Sequence, residues 1–312
     1  MITKYSVANA RFLLAAPAIV ALICGCLSLD PFLWKEEPLD EYQLDSYAGE
    51  MECADAIDTL LAWGDTLDTS RIHHVPFSSE GETIWAILLA EDSVLTPQDT
   101  LILYFYGRTR NIDFYWTRVR LLHATGFPTM VVDYRGYGKS TGEPSEDALY
   151  ADGRAALSHI RAVLGAPTVM LYAYSTGTWI GCELVSTDAE GQIARLMLEA
   201  PYNSVETMIQ DATYLNLPGS YLTTLEGKNA DKIKKADVPF LWLHGMEDQT
   251  LNIETHGYPV WENYRGQSAC RILVPSADHT EVPSTMGYRR YVDCIRAFIK
   301  GDVSDPLFEC RQ

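Results

Sequence analysis

An apolar run that stops at a serine between small residues constrains this chain more than any other feature. Val169-Met170-Leu171-Tyr172-Ala173-Tyr174 reads as a buried strand, Ser175 follows it, and Thr176-Gly177-Thr178-Trp179-Ile180 continues with helical spacing. A serine hydroxyl is a poor nucleophile unless it is lifted out of the sheet toward a base. A sharp strand-to-helix turn does the lifting. It also crowds the backbone, so the positions two before and two after the serine must be small. Ala173 and Gly177 fill them. Serine between small residues is common in loops, so the string takes its meaning from standing between a strand and a helix.

A turn of this kind calls for an acid and then a histidine further along the chain. Val238 to Leu243 is another buried strand, broken at Gly245, with Glu247 and Asp248 just past its end. Arg271 to Pro275 is a short strand followed by Ala277, Asp278 and His279. Ligands in open α/β sheets sit at the carboxyl ends of the strands. Ser175, Asp248 and His279 at three strand ends therefore point to a catalytic triad of nucleophile, orienting acid and base. Plainer readings stand beside this one. Asp248 can be a solvated turn residue with Glu247 as a rival acid, and His279 can simply bond a loop. His244 precedes the turn glycine and reads as structural, while His73, His74, His123, His159 and His256 fall outside the strand ends.

From about residue 71 to 300 the chain resembles α/β-hydrolases of the small-cap, abhydrolase-domain type, akin to lipase-like and acyl-protein thioesterase-like serine hydrolases. Asp133-Tyr134-Arg135-Gly136-Tyr137-Gly138-Lys139-Ser140 is similar to that family's D-x-R-G-x-G-x-S loop. It reads as a tight, glycine-permitted turn pinned by an acid–base pair, supporting the site rather than doing its chemistry. A phosphate-binding reading of Gly136 and Gly138 fails, because the third glycine is misplaced and no Rossmann-like start precedes the loop. Tyr106-Gly107-Arg108 stands where the family's oxyanion loop reads His-Gly-Asn. The resemblance implies that the oxyanion donors are the backbone N–H groups of Thr176 and Arg108, which survive side-chain replacement. It also makes Tyr106, Tyr174 and Tyr202 candidate substrate contacts, with Tyr106 and Arg108 altering the lining of the acyl site.

The remaining composition narrows the class. The 312 residues fit one large α/β domain, and the formal charge of −18 argues against nucleic acid and against electrostatic docking on anionic lipid. No C-x-x-C pair or H-E-x-x-H helix is present, so no metal or cofactor is implied. Lys4 and Arg11 precede the apolar run Phe12–Ile23, which ends in Cys24-Gly25-Cys26. That reads as a secretory signal and resembles a bacterial lipoprotein signal with Cys26 as the lipidated residue, although Cys24 departs from the pattern. An uncleaved single-pass anchor is the rival, since the apolar stretch to Leu29 nearly reaches transmembrane length, and full secretion is a third reading. Each places the domain outside the cytosol of a bacterial host, and the first two attach it to the membrane through its N-terminus. Of seven cysteines, Cys24 and Cys26 belong to that segment and Cys182 reads as core, so Cys53, Cys270, Cys294 and Cys310 leave three pairings open.

Residues 1–26 are thus expected to be a signal or anchor, 27–70 a tether with a helix from Glu50 to Trp63, 71–300 the main domain and 301–312 a tail. Leading antiparallel strands are expected at Ile72–Phe77 and Thr83–Leu89. Strands near 100–106, 128–134, 168–173, 195–200, 239–244 and 270–275 alternate with helices, which means a mostly parallel sheet with helices on both faces. An insertion at 204–237 reads as a short cap over the strand ends, favouring small acyl groups. The expected function is a membrane-tethered serine hydrolase cleaving ester or thioester bonds of a small or acylated substrate. Peptidase or acyl-transfer chemistry on the same triad is one alternative. A catalytically weak binding protein, suggested only by Tyr106 and Arg108, is another.

Overall fold

Runs such as Leu101–Phe105 and Phe240–Leu243 have no polar face to offer water, so their strands are buried on both sides. In the computed structural model, which describes residues 28–47, 49–165, 167–213 and 218–311, they lie in a nine-stranded sheet. Its strands are β1 (Ile72–Ser79), β2 (Glu82–Leu89), β3 (Thr100–Phe105), β4 (Thr129–Val132), β5 (Thr168–Tyr174), β6 (Ile193–Glu199), β7 (Phe240–Gly245), β8 (Ala269–Val274) and β9 (Glu309–Arg311). The order across the sheet is β9-β8-β7-β6-β5-β3-β4-β2-β1. Strands β3 to β8 pair in parallel, while β1, β2 and β9 are antiparallel at the two sides.

Helices cover both faces. On one, α1 (Ala56–Ala62) and α7 (Tyr288–Lys300) pack against α2 (Ile112–His123); on the other, α3 (Glu146–Ala162) packs against α4 (Gly177–Thr187). Helices α5 (Val205–Thr213) and α6 (Gly257–Asn263) complete the second group near the strand ends. This is the mostly parallel, doubly covered sheet that the alternating pattern predicts. The order reverses between β3 and β5, so the loops leaving these two strands open a crevice at their carboxyl ends. Both the Tyr106-Gly107-Arg108 loop and Ser175 leave from there.

The loop after β4 departs in detail from its expected acid–base pin. Asp133 does not pair with Arg135. It accepts the hydroxyl of Tyr106 at 2.7 Å, the hydroxyl of Tyr42 at 2.5 Å and the N–H of Ile112 at 2.9 Å. Arg135 reaches instead to Asp152 on α3 at 2.7 Å. Gly138 adopts φ +52°, and a Cβ there would stand 1.8 Å from Asp133 Oδ2, so only glycine lets the turn close over the carboxylate.

The segment expected as a tether is built into the domain. From Leu29, whose N–H donates to Leu222 O at 2.7 Å, the chain runs across the strand ends. Lys35–Glu36 pairs in parallel with Thr109–Arg110, and Gln43 and Leu44 donate their N–H groups to the buried carboxylate of Asp113. Trp34 stacks on Trp179 with ring centroids 5.9 Å apart, a contact that contributes about 0.5–1.5 kcal/mol beyond area burial. Acidic and proline-punctuated composition suggests a loose linker, but here Asp30 accepts the Thr224 N–H at 3.2 Å and Asp45 accepts the Arg120 guanidinium at 2.7 Å, while Glu36, Asp40 and Glu41 stay exposed. The expected helix Glu50–Trp63 is shorter, a single turn at Met51–Cys53 followed by α1. The candidate signal or anchor lies outside the described residues. Among those residues no helix is long and apolar enough to cross a membrane.

The C-terminal residues carry a strand where a tail was expected. Strand β9 pairs with β8, placing Cys310 opposite Cys270, and the two form a disulfide. Cys53, Cys182 and Cys294 are buried free thiols. The bridge spans 40 positions, a closure of the size that stabilises domains by about 2–4 kcal/mol. Cys310→Ser should lower the urea midpoint accordingly under non-oxidised-additive, non-reducing conditions, while the same variant and wild type should converge once a reductant is added. An unchanged midpoint without reductant would contradict this.

Candidate active site

Ser175 sits at the tip of β5 with φ +51°, the left-handed backbone that the strand-to-helix turn predicts. Gly177 starts α4 against β3, where a Cβ would lie 2.1 Å from the carbonyl oxygen of Phe105. Any side chain there would push the helix off the sheet and lower the serine. Ala173 is fully buried, close to Gly181 of α4. The Ser175 N–H donates to Glu199 O at 2.9 Å, tying the turn to the end of β6.

The three strand-end residues meet. His279 Nε2 lies 2.9 Å from Ser175 Oγ, and His279 Nδ1 lies 2.8 Å from Asp248 Oδ2. Asp248 Oδ1 accepts the N–H groups of Thr250 at 2.9 Å and Leu251 at 2.7 Å, which fixes the carboxylate's rotation. Burial pushes the Asp248 pKa up, but hydrogen bonds and charge from His244 and His279 outweigh it and hold the group well below the usual carboxylate range. Glu247, the rival acid, is exposed. Asp278 links the two loops by accepting Gln249 N–H at 2.8 Å and His279 N–H at 2.7 Å.

His244 stands directly behind the acid. Its Nδ1 accepts the Trp242 indole N–H at 3.1 Å, which assigns the imidazole proton to Nε2. That nitrogen faces Leu251 O at 3.0 Å and Asp248 Oδ2 at 3.2 Å. The structural role read for His244 thus has a specific content, orientation of Asp248.

Thr176 and Arg108 line the same cavity as Ser175, and the backbone N–H of neither finds an acceptor among the described residues. The cavity has a volume of about 350 Å³. Leu33 from the N-terminal segment, Phe114 from α2, and Met208 and Ile209 from α5 supply its apolar wall. A larger cleft of about 460 Å³, beside Asn203 and Asp231, holds no paired nucleophile and base.

Of the three tyrosines expected at the substrate, only Tyr174 lines the cavity, with its ring packed 5.4 Å from the His279 imidazole. Tyr106 is fully buried, stacked on Tyr115 and Tyr134 and bonded to Asp133, so it braces the Tyr106-Gly107-Arg108 loop from behind. Tyr202 is packed edge-on against Trp179 in the core. Each carries a hydroxyl that composition alone does not distinguish from a ligand contact. The carbonyl of Arg108 accepts the Tyr137 hydroxyl at 3.0 Å.

Sequence reasoning missed a set of buried charges under the cavity. Arg118, Glu50 and Glu199 are each no more than 1% exposed. Glu50 reaches the cavity lining from the N-terminal segment. The sequence signal was weak: Arg118 is one of several charged residues in α2, and Glu199 closes β6, which also carries Arg195.

Known proteins resemble this chain in sequence and in fold. Residues 96–225 match the family described as "Serine aminopeptidase, S33". The chain is 27% identical over 203 residues to human protein ABHD12B, covering 59% of this chain and 56% of that protein. It is also 27% identical over 176 residues to the lysophosphatidylserine lipase ABHD12 of Xenopus tropicalis, covering 51% and 46% respectively. The chain therefore spans about half the length of these curated relatives. Among solved structures, the Pyrococcus furiosus esterase Pf2001 superposes with a TM-score of 0.60 at 14% identity, covering 76% of this chain and 96% of the esterase.

Burial pushes the Glu50 carboxyl up to about 7, against 4.5 for an unperturbed glutamate; Arg118 opposes the rise and the charge of Glu199 adds to it. Folding therefore favours the protonated form. That stabilising contribution is complete below the unfolded value and is lost as pH rises through about 7. The melting temperature of Glu50→Gln relative to wild type should accordingly shift in the variant's favour between about pH 5 and about pH 8. A difference that stays constant across this range would contradict the assignment.

Proposed function

The chain belongs to the α/β-hydrolase superfamily, in its abhydrolase-domain branch, and from that premise we propose that it is a serine hydrolase cleaving carboxylic ester or thioester bonds through Ser175, His279 and Asp248. The observation that carries this reading is the continuous line from Ser175 Oγ through His279 to Asp248, with links of 2.9 and 2.8 Å. Ser175 Oγ attacks the acyl carbon while His279 Nε2 takes its proton. Asp248 holds the Nδ1 proton and stabilises the imidazolium that forms. The oxyanion of the tetrahedral intermediate is received by the free N–H groups of Thr176 and Arg108. His279 then protonates the leaving group, and an acyl group remains on Ser175. Water attacks that acyl-enzyme with His279 as base, and the serine is regenerated.

The substrate class follows from the cavity. Its volume of about 350 Å³ and its wall of Leu33, Phe114, Met208 and Ile209 suit a short to medium acyl group, with the longer lipid chains of a lysophospholipid-type ester as the limit. The lipase name of one relative supports a lipid-like ester. The family description supports peptidase chemistry as a second reading, on the same triad. Attachment to the membrane through residues 1–26 completes the proposal. The first described residues lie against Leu222 and the chain reaches the cavity wall a few residues on, at Leu33, so a membrane-held N-terminus would bring the cavity near the bilayer.

Ser175→Ala should reduce turnover of a soluble p-nitrophenyl ester by roughly 10⁴-fold or more, and Asp248→Asn by less, with Glu247→Gln close to wild type. A larger loss in Glu247→Gln than in Asp248→Asn would transfer the acid's role to Glu247.

Across a series of p-nitrophenyl esters, kcat/KM should peak at acyl chains on the order of C2–C8, because longer chains find too little apolar wall to gain from burial. An optimum at long chains would make a lipase-like acyl tunnel the better reading. Faster cleavage of an aminoacyl p-nitroanilide than of any ester would favour the peptidase.

A further inference from the structure

Three buried charged side chains lie beneath the triad, and acyl transfer itself uses none of them. Arg118 turns Nε to both carboxylate oxygens of Glu50 at 3.0 Å and Nη1 to Glu199. Glu199 also accepts the hydroxyls of Tyr172 and Tyr291, the latter at 2.9 Å. Buried ion clusters of this kind are seldom better for stability than apolar side chains of equal volume, because the desolvation cost offsets the attraction.

The cluster touches both ends of the Ser175–His279 pair. The remaining nitrogen of the guanidinium, Nη2, donates to the carbonyl oxygen of Thr280 at 3.0 Å, one residue past the histidine. The guanidinium carbon lies 4.0 Å from the centre of the Tyr174 ring, and that ring packs against the His279 imidazole. On the serine side, Glu199 binds Arg118 through its carboxylate and the Ser175 N–H through its backbone carbonyl. One fully buried, planar cation therefore spans the histidine turn, the ring beside the imidazole and the end of β6, whose Glu199 carbonyl accepts the serine's N–H.

We propose that Arg118, clamped between Glu50 and Glu199, is a positioning residue that keeps the His279 imidazole in line with Ser175. The proposal rests on the triad reading and extends it to the N-terminal segment, since Glu50 belongs to the stretch that crosses the strand ends rather than to the sheet and its helices. Glu50 takes the Nε edge of the guanidinium and Glu199 one terminal nitrogen, which leaves Nη2 fixed on Thr280. With Glu50 neutral and presenting an amide nitrogen, the Nε edge is held by one acceptor at most, and the cation is free to tilt away from Thr280 and Tyr174.

The test is steady-state turnover of a short soluble p-nitrophenyl ester at about pH 8, where Glu50 is ionised, by wild type, Arg118→Lys and Glu50→Gln, with thermal unfolding of each. Lysine keeps the charge but has neither the flat face for Tyr174 nor the fork that reaches Glu50, Glu199 and Thr280 together. Misplacement of a catalytic group by about 1 Å costs on the order of 100-fold, so Arg118→Lys should lose roughly 10- to 100-fold in kcat and Glu50→Gln roughly 10-fold. KM should stay within about threefold in both, because the acyl wall is untouched. A purely structural role would lower the folded fraction or the melting temperature without this split. Folded variants with kcat within about twofold of wild type would overturn the proposal, and so would loss of the cooperative unfolding transition in Glu50→Gln, which would make the cluster a stability element. Absence of turnover in wild type itself would remove the triad reading first, and the two failures are thereby separated.

Discussion

Ser175 is held in a left-handed backbone conformation, φ +51°, and the surrounding structure is arranged to keep it there. A non-glycine residue in that region costs about 1–3 kcal/mol, so the turn persists only because its neighbours over-determine it. Gly177 lets α4 close onto the end of β3, with Phe105 O where a Cβ would be. Glu199 O accepts the serine's N–H, and Thr178 returns both its N–H and its hydroxyl to Ser175 O. The strain is thus opposed by a close helix–sheet contact on one side and three hydrogen bonds on the other. The raised hydroxyl then faces His279 instead of the core.

Around this turn the chain uses buried carboxylates as hubs. Asp133 gathers Tyr42, Tyr106 and the start of α2; Asp113 gathers Gln43 and Leu44; Glu50 and Glu199 gather Arg118. Each joins the N-terminal segment or a site loop to the rigid sheet-and-helix body. Burial raises the Asp133 carboxyl to about 6, offset in part by its hydrogen bonds, so its neighbours serve it as donors. Part of the chain's acidity is therefore structural, in the buried Glu50, Asp113, Asp133, Asp152 and Glu199. An inward-facing carboxylate with several N–H or O–H donors replaces the apolar contacts that a short, polar segment cannot supply.

The elements most legible in the sequence were those fixed by local pattern. The six parallel strands were set by continuous apolar runs, and the serine turn by its small flanking residues. Asp248 and His279, which meet Ser175 in the fold, were singled out because each stands just past a strand end, a position with chemical meaning in this topology. What escaped was long-range. Nothing local separates Tyr106 and Tyr202, which are core hydroxyls, from Tyr174, which faces the cavity. The acidic, proline-punctuated stretch from 30 to 48 looks like a linker because its partners, Asp113, Asp133 and Arg120, lie far along the chain. The Cys270–Cys310 bridge was one of three open pairings, and the antiparallel strand β9 that decides it is only three residues long.

The central claim is that Ser175 is the reactive nucleophile, activated by His279. Its most direct test is to treat the purified protein with a fluorophosphonate at neutral pH, digest it and map the added mass to a peptide. The account predicts stoichiometric modification on Ser175 alone, lost when the protein is unfolded first, because an unactivated serine does not react. Modification at another residue, or none in protein that is demonstrably folded, would contradict it.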